Sequence, residues 1–195
     1  MTTSVSQPIH LLGIAGSLRS GSFNRALLRA AEELAPSGVE ITTFDELGAL
    51  PFYDGDVEAA GEPIAVRRLR SAVEAADAIL IVTPEYNDGT SAVLKNAIDW
   101  ASRPPQRSLA GKLAAVMGAS VTPSGARGGI ESVKRSLRRA GSQVLDGQVA
   151  IPSAPEAFDS DLRLADPLVR DEVAGLVASL SVQARSAAAE KLAAA

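Results

Sequence analysis

Cysteine is absent from the 195 residues, which excludes disulfides, iron–sulfur clusters and a thiol nucleophile. Histidine occurs once, as His10 within an apolar run. It reads as a core or strand-end residue, and a zinc site has too few soft ligands to form around it. Positive charge is scarce: 19 Lys and Arg against 23 Asp and Glu leave a net charge of -4. Nucleic acid as a main partner wants a basic surface and is disfavoured. No run of about 18 apolar residues exists, so no segment reads as a membrane span. Residues 1–8 lack the basic start and apolar centre of a signal peptide. They are expected to be a disordered N-terminus, and the protein to be cytoplasmic. What remains is ordinary for one folded domain: 46% hydrophobic and 22% charged residues, in a chain long enough for a sizeable core.

Residues 9–24 organise the rest. Ile9 to Ala15 form a short apolar run ended by Gly16, the pattern of a buried strand. Ser17, Arg19, Ser20, Ser22 and Asn24 follow, interleaved with Gly21. A helical pattern then begins, with Leu27, Leu28, Ala31, Leu34 and Ala35 on one face. Strand, polar glycine-containing loop and helix start together suit a phosphate, because backbone N–H groups and the helix N-terminus converge there. A Walker loop is excluded, since Gly111-Lys112 is followed by Leu113. The spacing of Gly13, Gly16 and Gly21 does not fit the G-x-G-x-x-G dinucleotide fingerprint. Hydroxyls and an arginine in place of packed glycines suit a terminal phosphomonoester. A serine-rich turn with Ser22 or Asn24 as helix N-cap fits the same residues.

Further along, Val39, Ile41 and Phe44 alternate within 38–50 and predict a second, less buried strand at an edge. Residues 51–63 read as a solvated acidic loop and 63–76 as a helix. Ala78 to Thr83 is the most hydrophobic run and predicts the central strand. A helix is expected at about 91–102 with Lys95 and Asp99 paired on its surface. A strand at 112–120 leads to a loop containing Gly125, Gly128 and Gly129. The next helix carries Ile130, Val133, Leu137 and Ala140 inward, with Lys134, Arg135, Arg138 and Arg139 on a solvated face and Gly141 as its stop. Residues 143–151 form a fifth strand, and Pro167 opens a final helix. The tail, 183–195, extends that helix or frays. Alternation of strand and helix predicts a parallel sheet covered on both faces, its ligand crevice beyond the carboxyl ends of the strands. The polar loops 16–24, 83–90 and 118–129 converge there.

Gly16-Ser-Leu-Arg-Ser-Gly-Ser-Phe-Asn24 resembles the first signature of the NADPH-dependent FMN reductases. Pro84-Glu-Tyr-Asn87, followed by Leu94-Lys-Asn-Ala-Ile-Asp-Trp100, is similar to the second, and Gly118-Ala-Ser120 with Gly128-Gly129 is loosely similar to the third. The resemblance, from about Ile9 to Leu180, implies a flavodoxin-like three-layer α/β sandwich with a five-stranded parallel sheet of order 2-1-3-4-5. It also implies bound FMN, NADPH or NADH as hydride donor, and a homodimer or homotetramer. The implied acceptors are quinones, azo compounds, chromate or free flavin. By motif, Ser17, Arg19, Ser22 and Asn24 hold the FMN phosphate. Pro84, Glu85, Tyr86 and Asn87 line the isoalloxazine, partly by backbone, and Ser120 approaches the ring's other side or polar edge. Asp88 departs from the family pattern, as does the loop 121–127, whose Arg127 reads equally as a dinucleotide-phosphate contact or a solvated side chain.

Tyr86, among polar neighbours at a strand end, is placed to stack on a ring, while Trp100 reads as core or interface. Lys95 and Asn96 read as helix-surface or dimer contacts. No catalytic acid or base is assigned, Glu85 included, because the flavin carries the hard chemistry. A one-electron carrier of flavodoxin type and a non-catalytic flavin sensor are the alternatives. Arg19 and the mild net charge favour the enzyme.

Overall fold

The computed structural model describes residues 8–193. The expected N-terminal tail, except Pro8, lies outside the described residues. Five strands, β1 (Ile9–Ala15), β2 (Val39–Thr43), β3 (Ala78–Val82), β4 (Leu113–Ala119) and β5 (Gln143–Ile151), form one sheet of order β2-β1-β3-β4-β5, all neighbours parallel. The helices are α1 (Phe23–Glu33), α2 (Gly55–Ala60), α3 (Ile64–Ala75), α4 (Ala92–Ala101), α5 (Arg127–Arg139), α6 (Ala154–Ala157) and α7 (Pro167–Ala193).

Because side chains alternate along a strand, the sheet feeds two separate cores. Leu11, Leu80, Val82 and Met117 pack with α1 and α7. Leu12, Ile14, Ile79, Ile81 and Val116 pack with α3, α4 and α5 on the opposite face. Each residue of β3 is buried, as its run of apolar residues requires at the centre of a parallel sheet. Truncating Leu80 or Ile81 to alanine there would cost about 2–5 kcal/mol.

Three expectations need correction. Only Val39–Thr43 of 38–50 is strand, because Leu47–Ala49 tighten into a 3₁₀ turn. The acidic stretch 51–63 is not simply solvated: Asp54 caps the short helix α2 by accepting from Asp56 N. Its Glu58 and Glu62 face the buried Arg70, with Nη1 to Glu62 Oε1 at 2.8 Å. Lys134 leaves the expected solvated face. It is 3% exposed and donates to Asp146 O at 2.8 Å, and burial lowers its ammonium below the ordinary lysine value. Of the two courses expected for the alanine-rich tail, helix α7 takes the first and continues to Ala193.

Candidate functional site

A bend at Gly16 begins the first loop. Its N–H donates to Val82 O at 2.8 Å, and a Cβ there would stand 2.2 Å from Leu94 Cδ1. Only glycine lets β1 approach the start of α4 so closely. Ser17 is buried, and Leu18, Arg19 and Ser20 are exposed. Ser22 is the N-cap of α1, its Oγ accepting from Asn24 N at 3.2 Å and Arg25 N at 3.4 Å. Among the described residues, the N–H groups of 17–22 donate to no protein acceptor, and Arg19 has no carboxylate partner. An arc of open donors thus lies at the positive end of α1. Asn24 is differently employed from the expectation. It is 5% exposed; Nδ2 donates to Ala119 O and Oδ1 accepts from Ala119 N, both at 2.9 Å. This reciprocal pair commits its amide to tying the first loop to the end of β4.

The second loop starts at Thr83, whose Oγ1 donates to Pro84 O at 2.8 Å. Tyr86 and Gly89 exchange two backbone hydrogen bonds of 3.0 Å, closing a tight turn. Asn87 and Asp88, at φ 50° and 58°, are its central residues. Both positive values fit a mirror-image two-residue turn, for which Asn and Asp are suited. Tyr86 is 54% exposed at this turn. Beyond it, Thr90 Oγ1 and Ser91 Oγ are buried without a hydrogen-bond partner among the described residues. Ser91 Oγ would lie 3.0 Å from a Cβ at Gly16, so these orphan hydroxyls border the first loop.

In the third loop the hydroxyls are joined to one another. Ser120 Oγ meets Thr122 Oγ1 at 2.9 Å, Thr122 Oγ1 meets Ser124 Oγ at 2.8 Å, and Ser124 Oγ donates to Glu85 Oε1 at 2.9 Å. Glu85 Oε2 accepts from Gly128 N at 2.6 Å and Gly129 N at 3.3 Å. The Glu85 side chain therefore sits on the N-terminus of α5 and contributes to the second loop only by backbone. Glycine is required here too: a Cβ at Gly129 would stand 2.5 Å from Pro84 O, and one at Gly118 would stand 2.4 Å from Thr83 O. Arg127 lines a groove with Gln148, Glu172 and Leu176 on the outer side of β5. Sequence reasoning missed the role of Glu85. Its signal was an acidic residue just past one strand end together with paired glycines opening the helix after the next.

Residues 9–156 match the family profile described as NADPH-dependent FMN reductase. The chain belongs to that family. An NAD(P)H-dependent FMN reductase of Pseudomonas aeruginosa is 43% identical over 182 residues, covering 93% of this chain and 98% of that protein. A quinone reductase of Pseudomonas putida is 42% identical over 134 residues, covering 68% and 72%. Among solved structures, FerB of Paracoccus denitrificans, a flavoenzyme NAD(P)H:(acceptor) oxidoreductase, superimposes with a TM-score of 0.83 at 33% identity. That match covers 91% of this chain and 98% of the FerB chain.

As a member of the FMN reductase family, this chain is an oxidoreductase using FMN and NAD(P)H. Its donor set fits that cofactor. Open N–H groups, an unpaired arginine and orphan hydroxyls on neighbouring loops are what a phosphate-bearing ligand satisfies. Outside the crevice, two residues of the second signature serve the fold of this FMN reductase. Trp100 is 1% exposed, its Nε1 donating to Pro51 O at 2.8 Å, with Tyr53 edge-on at 5.0 Å. Asn96, expected on the helix surface, is 8% exposed, donating to Pro51 O and accepting from Tyr53 N. Lys95 does pair on the surface, 2.6 Å from Asp99 Oδ1. Among the described residues no helix is long and apolar enough to cross a membrane.

Proposed function

We propose that FMN binds with its phosphate in the loop 16–24 and its ring against 84–87, and that hydride from NAD(P)H passes through it to small acceptors. Quinones, azo compounds, chromate and free flavin are the acceptor classes. The observation that carries this reading is the arc of open donors at 17–22 with the unpaired Arg19 beside it. Ser17 and Ser22 offer hydroxyls there, Arg19 adds charge, and Asn24 braces the loop from behind. Pro84, Glu85, Tyr86 and Asn87 present backbone and the Tyr86 ring to the isoalloxazine. Ser120 stands at the opposite lip. Bound FMN supplies the hydride chemistry, and the chain orients it and excludes competing reactions.

One crevice serves donor and acceptor in turn, which gives ping-pong kinetics with parallel initial-rate lines. A cytoplasmic homodimer or homotetramer completes the reading. Leu18, Tyr86 and Val121, all exposed on the three converging loops, are the apolar surface a second copy would cover. Trp100 is turned inward and is not available to a partner, so a helix α4 contact would use its polar outer face. Sedimentation of a monomer at micromolar concentration would remove the oligomer. The central test is a visible spectrum of purified protein followed by anaerobic NADPH. Yellow colour that bleaches is expected. Protein that takes up no FMN defeats the reading, and photoreduction halting after one electron favours the carrier.

A further inference from the structure

Glu85 joins three segments that the chain otherwise leaves separate. Its backbone lies in the ring loop, two residues before the Asn87–Asp88 turn. Its Oε2 holds the first N–H groups of α5, and its Oε1 holds Ser124, the end of the hydroxyl series that begins at Ser120 after β4. The three bonds to the Glu85 carboxylate are charge-assisted, and such bonds are the stronger kind. The missing side chain of Gly129 lets Pro84 O pack directly against the start of α5, where a Cβ would stand 2.5 Å from it. The N-terminus of α5, a ready anion site in a doubly wound sheet, is therefore filled by the chain's own carboxylate.

We propose that Glu85 is the positioning residue of the ring loop. Its side chain sets the placement of the 84–87 backbone relative to α5, and its negative charge beside the ring site lowers the reduction potential of the bound flavin. This rests on the FMN reading above. FMN and riboflavin share the ring and differ in the phosphate, so a residue that positions the ring loop must affect both alike.

The test compares Glu85→Gln, Glu85→Asp and Ser124→Ala by flavin titration of apoprotein and by the midpoint potential of bound FMN. Glu85→Gln should weaken FMN and riboflavin by the same factor, about tenfold, as expected for losing a charge-assisted bond. Its potential should rise, because a negative charge is gone. Glu85→Asp keeps the charge but falls a methylene short, so affinity should fall while the potential stays low. Ser124→Ala retains the carboxylate and both N–H contacts, and should weaken both flavins a few-fold with the potential unmoved. A merely structural residue would not move the potential in the flavin that still binds. Unchanged affinity and potential in Glu85→Gln overturn the proposal, as does a loss confined to FMN. Should Glu85→Gln fail to fold, Glu85→Asp and Ser124→Ala decide by affinity: equal losses for both flavins support the proposal, and unchanged affinity or a loss confined to FMN overturns it. Wild-type protein that binds neither flavin defeats the FMN reading itself, whereas wild-type binding with indifferent variants defeats only this inference.

Discussion

The loop after β1 and the loop after β4 leave the same carboxyl end of one parallel sheet, and each leads into a helix. Their polar groups are handled in opposite ways. In the first, residues 17–22 find no acceptor for their N–H groups among the described residues, and Arg19 reaches no carboxylate there. In the third, Ser120, Thr122 and Ser124 satisfy one another, and Glu85 satisfies the helix start. A loop rich in serine and glycine is thus either receptive or closed, depending on what reaches it from elsewhere in the chain. Unsatisfied donors beside a helix N-terminus point to a ligand. The same donors with an internal carboxylate point to a frame.

That contrast breaks hardest where the frame has no slack. Gly129→Ala pushes a Cβ to 2.5 Å from Pro84 O, against backbone that cannot step aside. About 3 kcal/mol of stability should be lost, read by urea unfolding. Gly21→Ala, which meets nothing within 4 Å, is the matched control in the receptive loop and should stay within about 0.5 kcal/mol. Next comes Arg19→Ala. It should leave unfolding unchanged yet cost about 1.5–3 kcal/mol of FMN binding, roughly ten- to over a hundredfold. Riboflavin, lacking the phosphate, should bind as before, and equal losses for both would mean the loop had misfolded.

Asn24→Ala tests the tie between the two loops. It strands the N–H and C=O of Ala119 in a buried place, so roughly 1–3 kcal/mol of stability should go. FMN affinity should fall with it, and a stable protein with unaltered affinity would remove Asn24 from the account. The smallest effect is a pH dependence at Lys134, on the helix that Glu85 caps. Burial lowers its pKa from 10.5, so the unfolded chain holds the proton more tightly than the folded one. Stability from this group must then rise as pH climbs through the window ending at 10.5. Lys134→Met should lack that rise, and parallel stability curves for the two proteins between neutral pH and 10.5 would contradict it.

By itself the sequence determined the order of the five strands and the five longer helices, though not the short α2 and α6, because the apolar runs at 9–15 and 78–82 and the helical stripes of α1, α5 and α7 are strictly local patterns. It also determined the family and the three loops, since those motifs are contiguous. What only the tertiary structure decided are the employments of side chains that meet across long separations. Asn24 and Ala119 are 95 residues apart, Glu85 and Gly128 43 apart, and Asn96 and Pro51 45 apart. Lys134 reached a carbonyl on β5 that no pattern in its own helix announced. An amide, a carboxylate or an ammonium is locally the same group whether it faces water, a ligand or the chain itself. Which of these it meets depends on how closely the sheet brings the loops together, and that distance is set by glycines at 16, 118 and 129.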